Sequence, residues 1–497
     1  MLLVALAGGP VSQADEAAIV ADIQAFFATD ATAERVELAR RIAQDAAYDR
    51  ASVSTWLHQA GLFEALRPGK LETQVPLSTG GTRTIVLRIP KEYDPARPWP
   101  LIYALHGSRG HAADIIGYVQ HLLGDEVESY VVAAPDRYAD TAIHQNEWPP
   151  TGEHPAALLR IRQTVHVDSD RVFVLGYSMG GHTSWTLAVL HADQFAGAVP
   201  LAGTFTLIVP DRLWETFLPN LADLPVLCVW GADDTQDERR RPSPDGGIAG
   251  INRRLRQLGG KLHSPITMIE LPDKGHGDVA PPADELAGIL AQTRVHYPRK
   301  VQHTFRHLCQ GSAYWLEAHQ WTGEQWTDKK RTIVLREGDN LSGNLDLDEA
   351  AAREYRSLLG QLRGEIDGQE IRVQRKKINE LTVWIGDGMI DWEQPVILKT
   401  GGQEPFEVKL QPDLYICLSQ AARTWDFDRL RWAGIRVRPS AGKPHLVTPQ
   451  TSFPPVFAEP KPKPSKKGSG RRSAAAARGS RIGRPAKKSL CRAPAAR

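Results

Sequence analysis

Between about residues 71 and 300 the chain reads as short apolar runs separated by helical stretches. Residues 84–89, 101–105, 130–134, 172–175, 197–201, 226–230 and 266–271 are strand candidates, the last with two polar positions. Residues 156–164, 183–191 and 248–258 are helix candidates between them. Runs that are apolar throughout belong to strands buried on both faces, and their alternation with helices predicts an α/β fold with a mostly parallel, doubly covered sheet.

The flanks follow other rhythms. Residues 15–70 place Ile19, Ile23, Phe26, Phe27, Leu38 and Ile42 at helical spacing and close at Pro68-Gly69, which predicts a small helical region or a brace on the next domain. Residues 301–365 are mixed and end in a helix candidate at 349–363. Residues 366–440 alternate apolar and polar at 371–375 and 381–385, with Asp387-Gly388 and Gly401-Gly402 as turns, which predicts a small β-rich, sandwich-like domain. Residues 441–497 turn Pro-rich and then basic, a composition that buries too little apolar surface to fold.

Composition changes this picture in three places. A chain of 497 residues is too long for one core, so several domains are expected. The net charge of +2 hides an asymmetry, because residues 461–497 hold 13 of the 60 Lys and Arg and none of the 58 Asp and Glu. The body is therefore acidic and gives no whole-protein attraction to nucleic acid. The tail lacks aromatic residues for base stacking, so nucleic acid is not expected as a partner. Four scattered cysteines, Cys228, Cys309, Cys417 and Cys491, make neither a CxxC pair nor a disulfide framework, and Cys228 lies in an apolar run as a small buried hydrophobe would.

Residues 1–14 run from an apolar start through Gly8-Gly9-Pro10 to Ala14, with Asp15-Glu16 after it. This resembles a secretory signal without a basic leading region, and it sets the expectation of a secreted or periplasmic protein, the alternative being a cytoplasmic one with an apolar start. No stretch approaches the ~18 apolar residues of a membrane span.

The chemistry gathers around Ser178. An apolar run, 172–175, leads straight into Gly176-Tyr177-Ser178-Met179-Gly180, and a helical stretch follows. A sharp strand-to-helix turn of this kind lifts a serine hydroxyl above a sheet, with glycines where backbones approach closely. It also aims the Met179 N–H, at the positive end of a helix, toward a developing oxyanion. A serine hydroxyl needs a base. His276, in Lys274-Gly275-His276-Gly277, directly follows the strand candidate at 266–271, whereas His263 precedes that strand and falls at its other edge. The acid that orients the imidazole is expected after residues 226–230, where Asp233, Asp234 and Asp237 compete and Asp234 is favoured. His106-Gly107-Ser108-Arg109 follows the strand candidate at 101–105, with the Ser108 N–H as second oxyanion donor and His106 as a structural residue of the turn. Open α/β sheets place their sites at the C-terminal ends of strands, and all four elements fall there.

These motifs, together with Pro98 to Gly107 and Asp168-Ser169-Asp170-Arg171-Val172, resemble the α/β-hydrolase superfamily. The likeness is to secreted bacterial esterases of the polyhydroxybutyrate-depolymerase, feruloyl-esterase and phospholipase/carboxylesterase type. It implies hydrolysis of a small-molecule or polymeric ester through an acyl-enzyme, without cofactor or metal. It covers residues 71–300, under half the chain. Prolyl-oligopeptidase-like peptidases share the motifs, and a non-catalytic binding protein on the same fold is the rival from another class. His106-Gly107-Ser108-Arg109 replaces the Gly-rich stretch of many esterases, which leaves the oxyanion donors less defined than the other three residues.

Two aromatic groups have alternative readings. Phe205, Leu207, Trp214, Phe217 and Leu218 suit an acyl pocket or lid, or the packing of a helix on the sheet. Trp384, Trp392, Trp425 and Trp432 suit a polysaccharide surface or, more simply, a core. Metal binding is not signalled: there is no His-Glu-x-x-His, and residues 344–348 lack the glycine and closing Glu of a calcium loop.

Overall fold

The structure, a computed structural model, describes residues 13–77, 81–136, 152–205, 213–236, 246–262, 265–324, 335–336, 339, 349–439 and 442–451. The apolar start to residue 12, His263, Asp237, Leu207, residues 344–348, Cys491 and the basic tail lie outside them.

Eight strands form the central sheet: β1 Gly69–Pro76, β2 Thr82–Ile89, β3 Trp99–Leu105, β4 Val131–Pro135, β5 Val167–Tyr177, β6 Gly197–Leu201, β7 Val226–Gly231 and β8 Ile266–Leu271. Their order is β1-β2-β4-β3-β5-β6-β7-β8. The strands from β4 to β8 in that order run parallel, while β1 and β2 join at one edge by antiparallel pairing. Every residue of β3, β6 and β7 is buried, as continuous apolar runs require of strands covered on both faces. Strand β1 escaped the sequence reading because it is an edge strand, with only Val75 fully buried.

Two apolar layers sandwich this sheet. One contains Ile102, Val132, Phe173 and Val199 with Ile115 and Val119 of a helix at Ala112–Leu123. The other holds Tyr103, Val174 and Trp230 with Trp185 and Leu187 of the helix Met179–Leu190. Phe205, Trp214, Phe217 and Leu218 are buried in this second layer, and Phe205 sets its edge against both Trp185 and Trp214. Of the two readings of that aromatic run, packing is the one the described residues follow.

The remaining strands make two five-stranded sheets. One has the order β16-β15-β13-β12-β9, built from β9 Lys300–Phe305, β12 Gly360–Asp367, β13 Glu370–Lys376, β15 Val396–Thr400 and β16 Phe406–Val408. The other has the order β10-β11-β14-β17-β18, built from β10 Ser312–Ala313, β11 Leu316–Trp321, β14 Ile378–Gly386, β17 Arg431–Val437 and β18 His445–Leu446. Three expectations need correcting here. The stretch expected to stay unfolded from 441 contributes β18, whose His445 and Leu446 pair with Arg436 and Ile435 of β17. The mixed stretch expected over 301–365 belongs to the β-rich region, since β9 pairs with β12 and β11 with β14, with β10 joined to β11. The helix expected over 349–363 ends at Leu358, and Gly360, Leu362, Gly364 and Ile366 alternate inward with the period of a strand. Trp384 and Trp432 are fully buried, and Trp392 and Trp425 pack partly buried against the core, so the tryptophans follow the core reading.

The N-terminal helices Gln13–Ala28, Thr32–Gln44 and Val53–Ala60 do not simply brace the neighbouring central sheet. Ile19, Ile23, Phe26, Leu38, Ile42, Trp56 and Leu57 share a core with Leu414, Cys417, Leu418 and Ala421 of the helix Leu414–Thr424 and with Trp432. The two ends of the described chain thus build one module. Cys228 and Cys417 are buried free thiols, while Cys309 is exposed.

Candidate active site

Ser178 stands where β5 turns into the helix Met179–Leu190. Its backbone is strained, with φ 57° and ψ −116°, a conformation that residues other than glycine rarely adopt. The close packing of the turn explains its glycines. A Cβ on Gly176 would lie 2.1 Å from the Gly180 carbonyl oxygen, and one on Gly180 would lie 1.9 Å from the Leu105 carbonyl oxygen. The second contact locks the turn against the end of β3. The Ser178 N–H donates to the Leu201 carbonyl at 2.9 Å, which ties the turn to β6 on its other side.

Three side chains then meet in a line. Ser178 Oγ lies 2.8 Å from His276 Nε2. His276 Nδ1 lies 2.7 Å from Asp234 Oδ2. The Asp234 side chain is 10% exposed and that of His276 48%, so the carboxylate is sheltered while the imidazole keeps an open face. The hydrogen bond to Asp234 raises the His276 pKa above the ordinary 6.5, against the opposing effect of burial.

The local backbone separates the competing aspartates. Asp234 is buried and points its carboxylate at His276, whereas Asp233 is exposed and uses its N–H to hold the Lys274 carbonyl at 2.8 Å. Asp237 lies outside the described residues.

The turn after β3 stands beside the serine. A Cβ on Gly107 would lie 3.5 Å from Ser178 Cβ. Gly110 N–H closes the turn onto the Gly107 carbonyl at 3.0 Å, with Arg109 at a positive φ of 63°. His106 is buried, its Nδ1–H donating to the Gly107 carbonyl at 2.8 Å, and burial lowers its pKa. That is the structural role expected of it. Ser108 follows Gly107 in this turn, and Met179 is the first residue of its helix, so the Met179 N–H has no acceptor within the helix.

Sequence reasoning did not single out His182, Tyr177 or Tyr118. His182 lies one helical turn beyond Ser178 and donates its N–H to the Ser178 carbonyl at 3.0 Å. Its Nδ1 accepts the Thr204 N–H at 2.9 Å, and burial lowers its pKa. The only sequence signal was its spacing of four from Ser178. Tyr177 and Tyr118 both reach the loop that carries His276, contacts that no local pattern encodes. Among the described residues no group of three or more His, Cys, Asp or Glu is placed to hold a metal ion. No described helix is long and apolar enough to cross a membrane.

Comparison with known proteins adds sequence relatives to this geometry. Residues 77–245 match the model of the Esterase family. Feruloyl esterase C of Emericella nidulans is 31% identical over 130 residues, which span 24% of this chain and 46% of that protein. Poly(3-hydroxyalkanoate) depolymerase C of Paucimonas lemoignei is 31% identical over 114 residues, which span 21% of this chain and 28% of that protein. The chain therefore spans less than half the length of these curated relatives. A solved ferulic acid esterase from the anaerobic fungus Anaeromyces mucronatus is 15% identical with a TM-score of 0.35, covering 46% of this chain and 91% of that one. Residues 77–245, which span most of the eight-stranded, mostly parallel sheet, are thus similar in sequence to the Esterase family.

Proposed function

We propose that this chain hydrolyses carboxylic esters through an acyl-enzyme on Ser178. The observation that carries this reading is the unbroken line from Ser178 Oγ through His276 to Asp234, set at the C-terminal edge of the sheet. His276 donates Nδ1–H to Asp234, which leaves the Nε2 lone pair facing the serine hydroxyl. As Ser178 Oγ attacks the ester carbonyl carbon, its proton passes to His276 Nε2. Asp234 stabilises the imidazolium that forms. The N–H groups of Met179 and Ser108 are the donors we assign to the oxyanion. Collapse of the tetrahedral intermediate expels the alcohol, which takes the proton from His276. Water then attacks the acyl group by the same route, releasing the acid and free Ser178. None of these steps calls on a metal or an organic cofactor.

The relatives narrow the substrates to try first. Their names point to hydroxycinnamate esters and polymeric hydroxyalkanoate esters. The test is a panel of p-nitrophenyl acyl esters, methyl ferulate, 3-hydroxybutyrate oligomers and peptide p-nitroanilides, run on wild type and Ser178→Ala. Ester turnover is expected from wild type, with a loss on the order of 10³-fold or more in the variant. Turnover that survives Ser178→Ala overturns the mechanism. Cleavage of the anilides in place of esters overturns the substrate class.

A further inference from the structure

The loop that carries His276 is strained and lightly built. Asp273 and Asp278 both adopt positive φ, at 55° and 57°, although neither is a glycine. Gly275 and Gly277 flank His276, and neither would meet another atom if it carried a Cβ. The side-chain directions of both glycines are therefore open, while the Gly275 carbonyl packs closely against Gly231.

The loop is held through its carbonyls. Ala232 N–H donates to the Leu271 carbonyl at 2.9 Å and Asp233 N–H to the Lys274 carbonyl at 2.8 Å, so the entry is anchored beside Asp234. The exit is anchored at Val279, whose side chain is fully buried and whose carbonyl accepts the Tyr118 hydroxyl. Between these anchors lies His276 itself, and its own carbonyl accepts the Tyr177 hydroxyl at 2.7 Å. Tyr177 is the residue before Ser178. Its ring meets that of Tyr118 edge-on at 5.3 Å and lies 6.3 Å from the His276 ring. The strand end that places the serine thus also grips the backbone of the histidine.

We propose that Tyr177 is a positioning residue for the base: its hydroxyl fixes the His276 backbone relative to Ser178 and so sets the alignment of Nε2 with both Oγ and Asp234. This rests on the serine-hydrolase reading above. Proton transfer from serine to histidine depends on heavy-atom distances near hydrogen-bond length, and displacements of about 1 Å cost up to about 10²-fold in rate. Without the Tyr177 hydroxyl the His276 carbonyl loses this partner, and the stretch between the Gly275 packing on Gly231 and the Val279 anchor is the part of the loop left to shift.

The test is Tyr177→Phe, which keeps the ring and removes only the hydroxyl. Wild type, Tyr177→Phe and Ser178→Ala are compared for the rate of Ser178 labelling by a fluorophosphonate, for kcat and KM on a p-nitrophenyl ester, and for Tm. Tyr177→Phe is expected to slow both labelling and kcat by on the order of tenfold, with KM and Tm unchanged. The acid limb of its pH–rate profile is expected to move to lower pH, because a loosened His276 keeps less of its hydrogen bond to Asp234. Labelling and kcat equal to wild type overturn the proposal. So does a loss that comes with a lowered Tm and an unshifted profile, since that marks general destabilisation. Failure of wild type to label, or turnover by Ser178→Ala, defeats the functional reading itself. Equal labelling of wild type and Tyr177→Phe defeats only the role of Tyr177.

Discussion

Strand β5 has a histidine–aspartate hydrogen-bond chain at each end, and the two are built for different ends. Past its C-terminal end, Ser178, His276 and Asp234 form the line already described. At its start, His166 Nε2 lies 2.8 Å from His58 Nδ1, and His58 Nε2 lies 2.9 Å from Asp428 Oδ1. An 11-residue strand separates them, roughly 35 Å. The second chain joins three regions: His58 comes from the N-terminal helices, His166 from the central sheet and Asp428 from the C-terminal module. Phe63 stacks on His166 at 4.3 Å and Phe427 meets His58 edge-on at 5.5 Å. The His58 side chain is 16% exposed. No hydroxyl ends this chain; His166 Nδ1 instead meets the Pro95 carbonyl at 2.8 Å. A histidine beside a carboxylate is thus not in itself a sign of chemistry. What distinguishes the Ser178 end is a serine hydroxyl on strained backbone, an imidazole with an open face and a place at the C-terminal strand edge. The His58 end has the same polar pairing and serves as a staple between modules.

The staple is reinforced by buried ion pairs. Arg294 binds Asp426 with two hydrogen bonds at 2.7 and 3.0 Å and Asp170 at 2.9 Å, and its side chain is 1% exposed. Arg429 adds a contact to Asp193 at 3.0 Å. Burial by itself would raise the Asp426 pKa, but the adjacent Arg294 guanidinium holds its carboxyl well below the usual range. Breaking such a pair strands a buried charge, which costs more than the pair contributes to stability.

Changes at the two ends of β5 should therefore separate activity from stability. The largest effect is expected from Asp234→Asn, which removes the partner of His276 and lowers kcat by roughly 10²- to 10⁴-fold at unchanged Tm. Asp233→Asn, at the exposed neighbour, leaves kcat near wild type, and the reverse pattern would exchange their roles. The pH profile of wild type follows from the same pair. His276 must be neutral to accept the serine proton, and Asp234 raises its pKa, so activity rises with pH through a limb above the ordinary 6.5. In Asp234→Asn that limb moves down; an unmoved limb would show that the carboxylate does not set it.

Next comes Asp426→Asn, which leaves Arg294 short of its main partner. It is expected to lower unfolding free energy by about 3–5 kcal/mol in chemical denaturation, with kcat of the folded fraction preserved. An unchanged midpoint would show that the ion pairs do not hold the modules together. The smallest effect is expected from His58→Ala, which cuts the staple at its centre for about 2 kcal/mol of stability. A loss of kcat at full stability would instead tie that end of β5 to the reaction.

Much of the site was legible because its parts are local. The strand, the glycines and the helix around Ser178 lie within twenty residues, and each is required by the turn's own sterics. His276 and Asp234 were legible by position, each just past an apolar strand. The choice of Asp234 over Asp233 was only favoured, since adjacent residues point opposite ways and the backbone of the turn decides which is buried. The β region was read less well. Strand β1, the true end of the helix at Leu358 and the strands from Lys300 were obscured by edge exposure or by partners distant in sequence.

The sequence by itself determined the α/β layering, the strained serine turn and the order of serine, aspartate and histidine, because these rest on short-range periodicity and glycine placement. Tertiary structure alone decided that the chain's N-terminal helices share a core with Leu414–Thr424, that His58 reaches Asp428 across 370 residues, and that Tyr177 holds the His276 carbonyl across 99. Those contacts depend on where side chains arrive once the sheet and modules have packed, and no local pattern of apolar and polar residues carries that information.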